Sequence, residues 1–96
     1  MNEAELTREC VRRLNKLPGV FCAKVHGSQY QRKGLPDIVG CAQGKFFGIE
    51  MKVPGRAART SPSQDLVLRK IRKAGGRAGV ATSFRECMEV INGKSN

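Results

Sequence analysis

The chain has no tryptophan, one tyrosine and a single histidine, His26, and aromatic residues make up 5% of it. Its four cysteines, Cys10, Cys22, Cys41 and Cys87, include no closely spaced pair. With one histidine to help them they do not read as a zinc knuckle, and buried reduced thiols are expected instead. Long apolar runs are also missing. The longest is Val20-Phe21-Cys22-Ala23, far short of the roughly 18 residues that a membrane-spanning helix needs. No charged-then-apolar leader opens the chain, so a secretory signal is not expected and a cytoplasmic setting is. Repeats, low-complexity tracts and an obvious linker are absent, and 96 residues leave no room for two duplicated lobes. One domain over residues 1–93 with a fraying tail at 94–96 is expected. Acidic residues are scarce: Asp and Glu number 8 against 18 Lys and Arg, for a net charge of +10. So large an excess on so small a body creates a positive field that favours polyanions. Nucleic acid, a ribosome, an anionic membrane surface and a heparin-like polymer all fit that field.

The residues that are present fall into seven elements. Leu6, Cys10, Val11, Leu14 and Leu17 recur at helical spacing, Asn2 and Glu5 supply a capping box, and Pro18-Gly19 ends the helix. Val20 to Val25 reads as a strand, and Gly27 to Gly34 as a basic loop. Asp37 to Cys41 and Lys45 to Val53 read as two strands joined in a hairpin, with Pro54-Gly55 as the stop. Arg56 to Arg59 is a second basic loop. Ser61-Pro62-Ser63-Gln64 then combines a cap, a proline at the first helical position and a capping-box glutamine. Gln64, Val67, Leu68 and Ile71 line one face of that helix, with Arg69, Lys70, Arg72 and Lys73 mostly on the other. Gly75-Gly76 ends it, Arg77 to Ala81 is a short strand, and Ser83 with Glu86 caps a last helix that Gly93 closes. The order α-β-β-β-α-β-α predicts an α/β fold, a four-stranded mixed sheet flanked by helices.

The hairpin carries the chemistry. With Gln43-Gly44 as its two loop residues, Ala42 pairs with Lys45, Cys41 with Phe46, Val39 with Gly48 and Asp37 with Glu50. Two carboxylates then stand opposite each other with Cβ atoms roughly 5 Å apart, and Lys52 points to the same face. Like charges directly opposed cost free energy. A divalent cation removes that cost, and Mg²⁺ is commonly held by one or two carboxylates together with substrate phosphate. Lys52 is too basic to be a ligand, but beside the acids it can neutralise charge developing on phosphorus. Two carboxylates and a lysine on adjacent strands are a minimal metal-dependent phosphodiester hydrolysis site. The simpler reading makes Asp37 the start of a strand and Glu50 and Lys52 a surface ion pair, worth about 0–1 kcal/mol.

Pro36-Asp37, a gap of twelve residues, then Glu50-Met51-Lys52 resembles the PD-(D/E)xK nuclease motif, and the element order resembles that superfamily's core. Gly34-Leu35-Pro36-Asp37, with Gln64 in the following helix, is most similar to its virus-type replication-repair nuclease (VRR-NUC) subfamily, of the stand-alone phage or bacterial kind. The Arg-rich signature of that subfamily after the fourth strand is absent from Val80-Ala81-Thr82-Ser83. The resemblance implies Asp37, Glu50, Lys52 and Gln64 as catalytic residues. It implies Mg²⁺ or Mn²⁺ bound by Asp37, Glu50, the Met51 carbonyl and a first-helix glutamate. Glu3 is the choice for that glutamate, because it leads the stripe of Leu6, Cys10 and Leu14; Glu5 is taken by the cap, and Glu9 is second. Gln64 is claimed equally by the capping box and by the site.

The function so implied is a metal-dependent endonuclease of DNA in replication or repair. Structure selectivity for branched or Holliday-junction-like substrates and a homodimer presenting two sites are expected with it, in a bacterial cytoplasm or, for a phage protein, its host's. DNA phosphates are expected to meet the loops flanking the site, through His26, Tyr30, Arg32, Lys33, Arg56 and Arg59. An RNA-directed nuclease of the same superfamily and a non-catalytic basic nucleic-acid-binding module are the alternatives.

Overall fold

A computed structural model describes residues 1–27, 31–55 and 59–94. The elements are α1 (Glu3–Leu14), β1 (Val20–Lys24), β2 (Ile38–Ala42), β3 (Lys45–Met51), α2 (Pro62–Lys73), β4 (Arg77–Ala81) and α3 (Phe84–Ile91). Their order is the one the sequence predicts. The four strands form one sheet in the order β1-β2-β3-β4. The first two pairings are antiparallel and the last, β3 with β4, is parallel. This is the mixed α/β sheet expected.

Element ends shift by a few residues, for local reasons. Asn15 still makes the helical bond to Val11, but beyond it Lys16 donates to Arg13 and Leu17 to Leu14, which tightens the last turn before Pro18. β3 stops at Met51 rather than Val53, although the Lys52 N–H still reaches the Ala81 carbonyl at 3.0 Å. Capping boxes form as expected at Asn2 with Glu5 and at Ser61 with Gln64. At α3 only half of one forms. Ser83 accepts from the Glu86 N–H, while the Glu86 carboxylate turns back to the N–H and hydroxyl of Thr82.

Alternation along β3 divides the sheet into two faces. Phe47, Ile49 and Met51 point to one side and join Ile38 and Ala42 of β2, Cys10 and Leu14 of α1, and Cys87, Val90 and Ile91 of α3 in the main core. Arg13 stacks on the Phe84 ring at 3.9 Å and ties α1 to α3. Cys10, Cys22 and Cys87 are buried here, and burial pushes all three thiols up; Cys41 is exposed. These are the structural thiols that their apolar settings suggest. On the other side α2 packs across β3 and β4. Gly48 is required there: a Cβ would lie 2.8 Å from the Pro36 ring and 2.9 Å from Ile71.

The outer edge of β1 is closed by a side chain. The Cys22 N–H donates to Asn15 Oδ1 at 2.8 Å, and Asn15 Nδ2 donates to the Cys22 carbonyl at 3.0 Å. One amide thus occupies both groups that a neighbouring strand would take. Replacing Asn15 with Ala removes two hydrogen bonds and is expected to lower the unfolding free energy by about 1–3 kcal/mol in urea titration.

Candidate active site

The hairpin turn sets the site. Gln43 and Gly44 have φ of 54° and 81°, both left-handed, as in the type I′ turn whose twist matches the strands it joins. Gln43 is anchored as well, its N–H to the Gly19 carbonyl and its amide to the Pro18 carbonyl, both at 2.9 Å. From this turn the ladder runs Ala42–Lys45, Cys41–Phe46, Gly40–Phe47, Val39–Gly48 and Ile38–Ile49. The next step along both strands is Asp37 beside Glu50. Asp37 accepts the Met51 N–H on Oδ2 at 2.7 Å, so its carboxylate closes the ladder in place of a backbone carbonyl.

Glu50 is 2% exposed, one of two buried polar residues among those described. Its Oε2 accepts from Gln64 Nε2 at 3.0 Å and lies 3.6 Å from the Lys52 ammonium. Its Oε1 is buried with no hydrogen-bond partner. Burial, then the neighbouring Asp37 charge, pushes the Glu50 carboxyl up to about 8, and Lys52 offsets only part of this. A surface ion pair has none of these features. A buried acid with an orphaned oxygen next to a second acid is the donor set for a hard cation, which satisfies the lone pairs and cancels the repulsion.

Gln64 resolves the two claims on it by serving both. Its Oε1 accepts the Ser61 N–H at 2.9 Å, completing the cap, while its Nε2 donates to Glu50. The cap therefore fixes which end of the amide faces the carboxylate. The loop before Asp37 is seated on the same helix end. Gly34, at φ +88°, lies so close to α2 that a Cβ would stand 2.4 Å from the Ser63 carbonyl oxygen. Ser61 and Gly34 thus position the site, Ser61 beyond its reading as a helix cap and Gly34 beyond its place at the head of Gly34-Leu35-Pro36-Asp37.

The other expected residues are placed as follows. Glu3 is exposed in the first turn of α1, ahead of the buried Thr7, Cys10 and Leu14. α1 packs against the core face of the sheet, whereas Glu50 and Asp37 point to the opposite face. Among the described residues no three His, Cys, Asp or Glu side chains gather to hold a metal, so Glu3 does not join the pair. Glu3 follows the periodic stripe but stands exposed at its head. His26 is exposed one residue beyond Val25, whose N–H bonds to the Asp37 carbonyl at 2.8 Å. Arg32 and Lys33 are exposed and line a cleft of about 380 Å³ that has Asp37 in its wall. Arg59 is exposed ahead of α2, where the Thr60 hydroxyl donates to Asp65. Tyr30 and Arg56 lie outside the described residues. Arg69, Lys70, Arg72 and Lys73 are all exposed on α2, and the Arg72 guanidinium donates to the Ala78 carbonyl at 2.9 Å.

The VRR-NUC domain family model matches residues 1–85 of the chain. The chain belongs to the VRR-NUC family. Membership makes it a nuclease of the PD-(D/E)xK type, with a nucleic-acid substrate. The match runs through Val80–Ser83, so a VRR-NUC domain is compatible with losing the arginines there. A solved VRR-NUC domain is similar to this one over 94% of each chain, with a TM-score of 0.70 at 23% identity, a likeness of fold. No protein of curated function matches the chain.

The Glu50 environment has a consequence for stability. Unfolding returns Glu50 to its ordinary value of 4.5. Between there and about 8 the metal-free folded chain holds a proton that the unfolded chain has released. The penalty is absent below this window and complete above it. Stability in a chelator is expected to fall from about pH 5 to about pH 8, with a Glu50 contribution approaching 1.4 kcal/mol per pH unit. Chemical denaturation at several pH values measures the slope. Glu50→Gln should flatten it, and Mn²⁺ should raise stability most at the alkaline end.

Proposed function

We propose that this VRR-NUC domain is a metal-dependent endonuclease of DNA, selective for branched substrates in replication or repair and acting as a homodimer with two sites. The observation that carries the metal dependence is the unpartnered, buried Oε1 of Glu50 beside Asp37. Asp37, Glu50 and the Met51 carbonyl would hold Mg²⁺ or Mn²⁺. The Met51 N–H already donates to Asp37, and in an extended residue the carbonyl points to the same edge as the N–H. The chemistry the cation supplies when bound is Lewis-acid polarisation of the phosphodiester.

The chain's own groups account for the remainder. Lys52, held at the end of β3 by its N–H bond to Ala81, presents an ammonium on the face of the two acids. There it stabilises the negative charge that builds on phosphorus as a water attacks in line. Gln64 fixes the second oxygen of Glu50 and so leaves the first free to act as a ligand. Arg32, Lys33 and Arg59 fix the strand by its phosphates without reading its sequence. The positive charge of the whole chain raises the rate of encounter with DNA and makes binding salt-dependent. DNA rather than RNA follows the family resemblance; nothing in the sequence identifies a reader of the 2′-hydroxyl, so parallel assays on the two decide.

Labelled linear duplex, flap, splayed-arm and four-way-junction DNA, with a matched RNA, should be compared in Mg²⁺ and in Mn²⁺. Cleavage of branched DNA above linear duplex is expected, and none in a chelator. Lys52→Ala should bind DNA as the unaltered protein does and cut at least about 100-fold more slowly. Substantial cleavage by a clean preparation of that variant would remove Lys52 from the mechanism.

A further inference from the structure

α2 covers only half of its face of the sheet. It packs on β3 and β4, and among the described residues Phe21, Ala23 and Cys41 of the β1–β2 half stay bare. On that half Phe21 is 74% exposed, and at its border Phe46 is 47% exposed. They are not scattered. Phe21 pairs with Cys41 and Cys41 with Phe46, so the three form one row straight across β1, β2 and β3. Neighbouring strands lie about 4.8 Å apart, which sets the two phenylalanine Cα atoms about 10 Å from each other. The row is on the face of the two acids. Cys41 and Phe46 are each four residues from Asp37 and Glu50, about 13 Å along the strands.

Charge fills the space between. Arg32 lines both the cleft walled by Asp37 and a second cleft of about 400 Å³ walled by Phe46. Lys70 is the other charged residue of the second cleft, which contains no acid. Exposed rings on a sheet beside cations, with no acid among them, match the chemistry of unpaired nucleobases. Their π-faces stack on aromatic side chains while the phosphates meet Arg and Lys. A second copy of this chain fits the row less well, because Arg32 and Lys70 beside it would face like charges, with no acid to pair them, across a symmetric contact.

We propose that Phe21 and Phe46 form a stacking platform for unpaired bases, continuous through Arg32 with the Asp37–Glu50 site. Its place as a substrate-selecting surface rests on the nuclease reading above; the binding itself does not. The platform makes a single-stranded arm, rather than the junction alone, the feature that this chain recognises.

The test reads binding in a chelator, without cleavage. A labelled splayed-arm DNA is compared with the same sequence fully paired, by fluorescence anisotropy. Phe21→Ala alters an exposed side chain and should leave the melting temperature in place. It should weaken splayed-arm binding about ten-fold and leave duplex binding unchanged, and Phe21→Trp should restore the arm. Alkylation of Cys41, the exposed cysteine in the middle of the row, should be slowed by the splayed arm and not by the duplex. Equal loss on both DNAs, no loss on either, or unprotected Cys41 overturns the platform. So does a fall in sedimenting mass of Phe21→Ala with DNA affinity intact, which would make the row a contact between copies. Cleavage that needs Lys52 but shows no Phe21 effect ends the platform and leaves the nuclease. Phe21-dependent binding with no cleavage in any metal does the reverse.

Discussion

Two acids share one side of a sheet because the β2–β3 hairpin has only one register open to it. The left-handed pair Gln43 and Gly44 closes a two-residue turn, and the anchors from Gln43 to Pro18 and Gly19 hold that turn to the body of the protein. A slip of one residue would turn Phe47, Ile49 and Met51 out of the core and Glu50 into it. The apolar burial of those three side chains therefore keeps Glu50 opposite α2. The site is carried by the core on the far side of the same strand.

That arrangement sets local and global preferences against each other. A carboxylate next to another carboxylate, buried, with one oxygen unmatched, is unfavourable in a metal-free fold. Sequences that only need to fold avoid such places, and departures from local consistency concentrate where a protein binds or reacts. The Gln64 amide shows how tightly the place is controlled. One end serves the helix and the other the acid, so the orientation of Glu50 is inherited from the start of α2. Gly34 extends the same control to the loop ahead of Asp37, which can reach its position only where no side chain intervenes.

Much of this was legible in the residues. Caps, glycine stops and alternation located all seven elements, and a two-residue turn sufficed to predict every pair of the β2–β3 ladder. Asp37, Glu50 and Lys52 followed from that register. What escaped was information about depth and about contacts between distant segments. Helical periodicity placed Glu3 on the buried stripe of α1, but it says nothing about where that stripe leaves the protein or which face of the sheet it meets. For Gln64 the sequence offered two competing roles, because spacing does not reveal that one amide can use both ends. Nor does alternation say how far a helix reaches across a sheet, so the exposure of Phe21, Cys41 and Phe46 follows only from the position of α2.

The Asn15 amide on β1 bears on how copies of the chain can meet. With Val20 donating to Leu17 and both Cys22 groups engaged, little of that edge can accept another strand. Copies cannot merge into a continuous eight-stranded sheet through β1 without first displacing the amide. Assembly on this side must then be built from side chains, where it responds to single substitutions and to salt, and β1 is shielded from the edge-to-edge pairing that small sheet proteins risk.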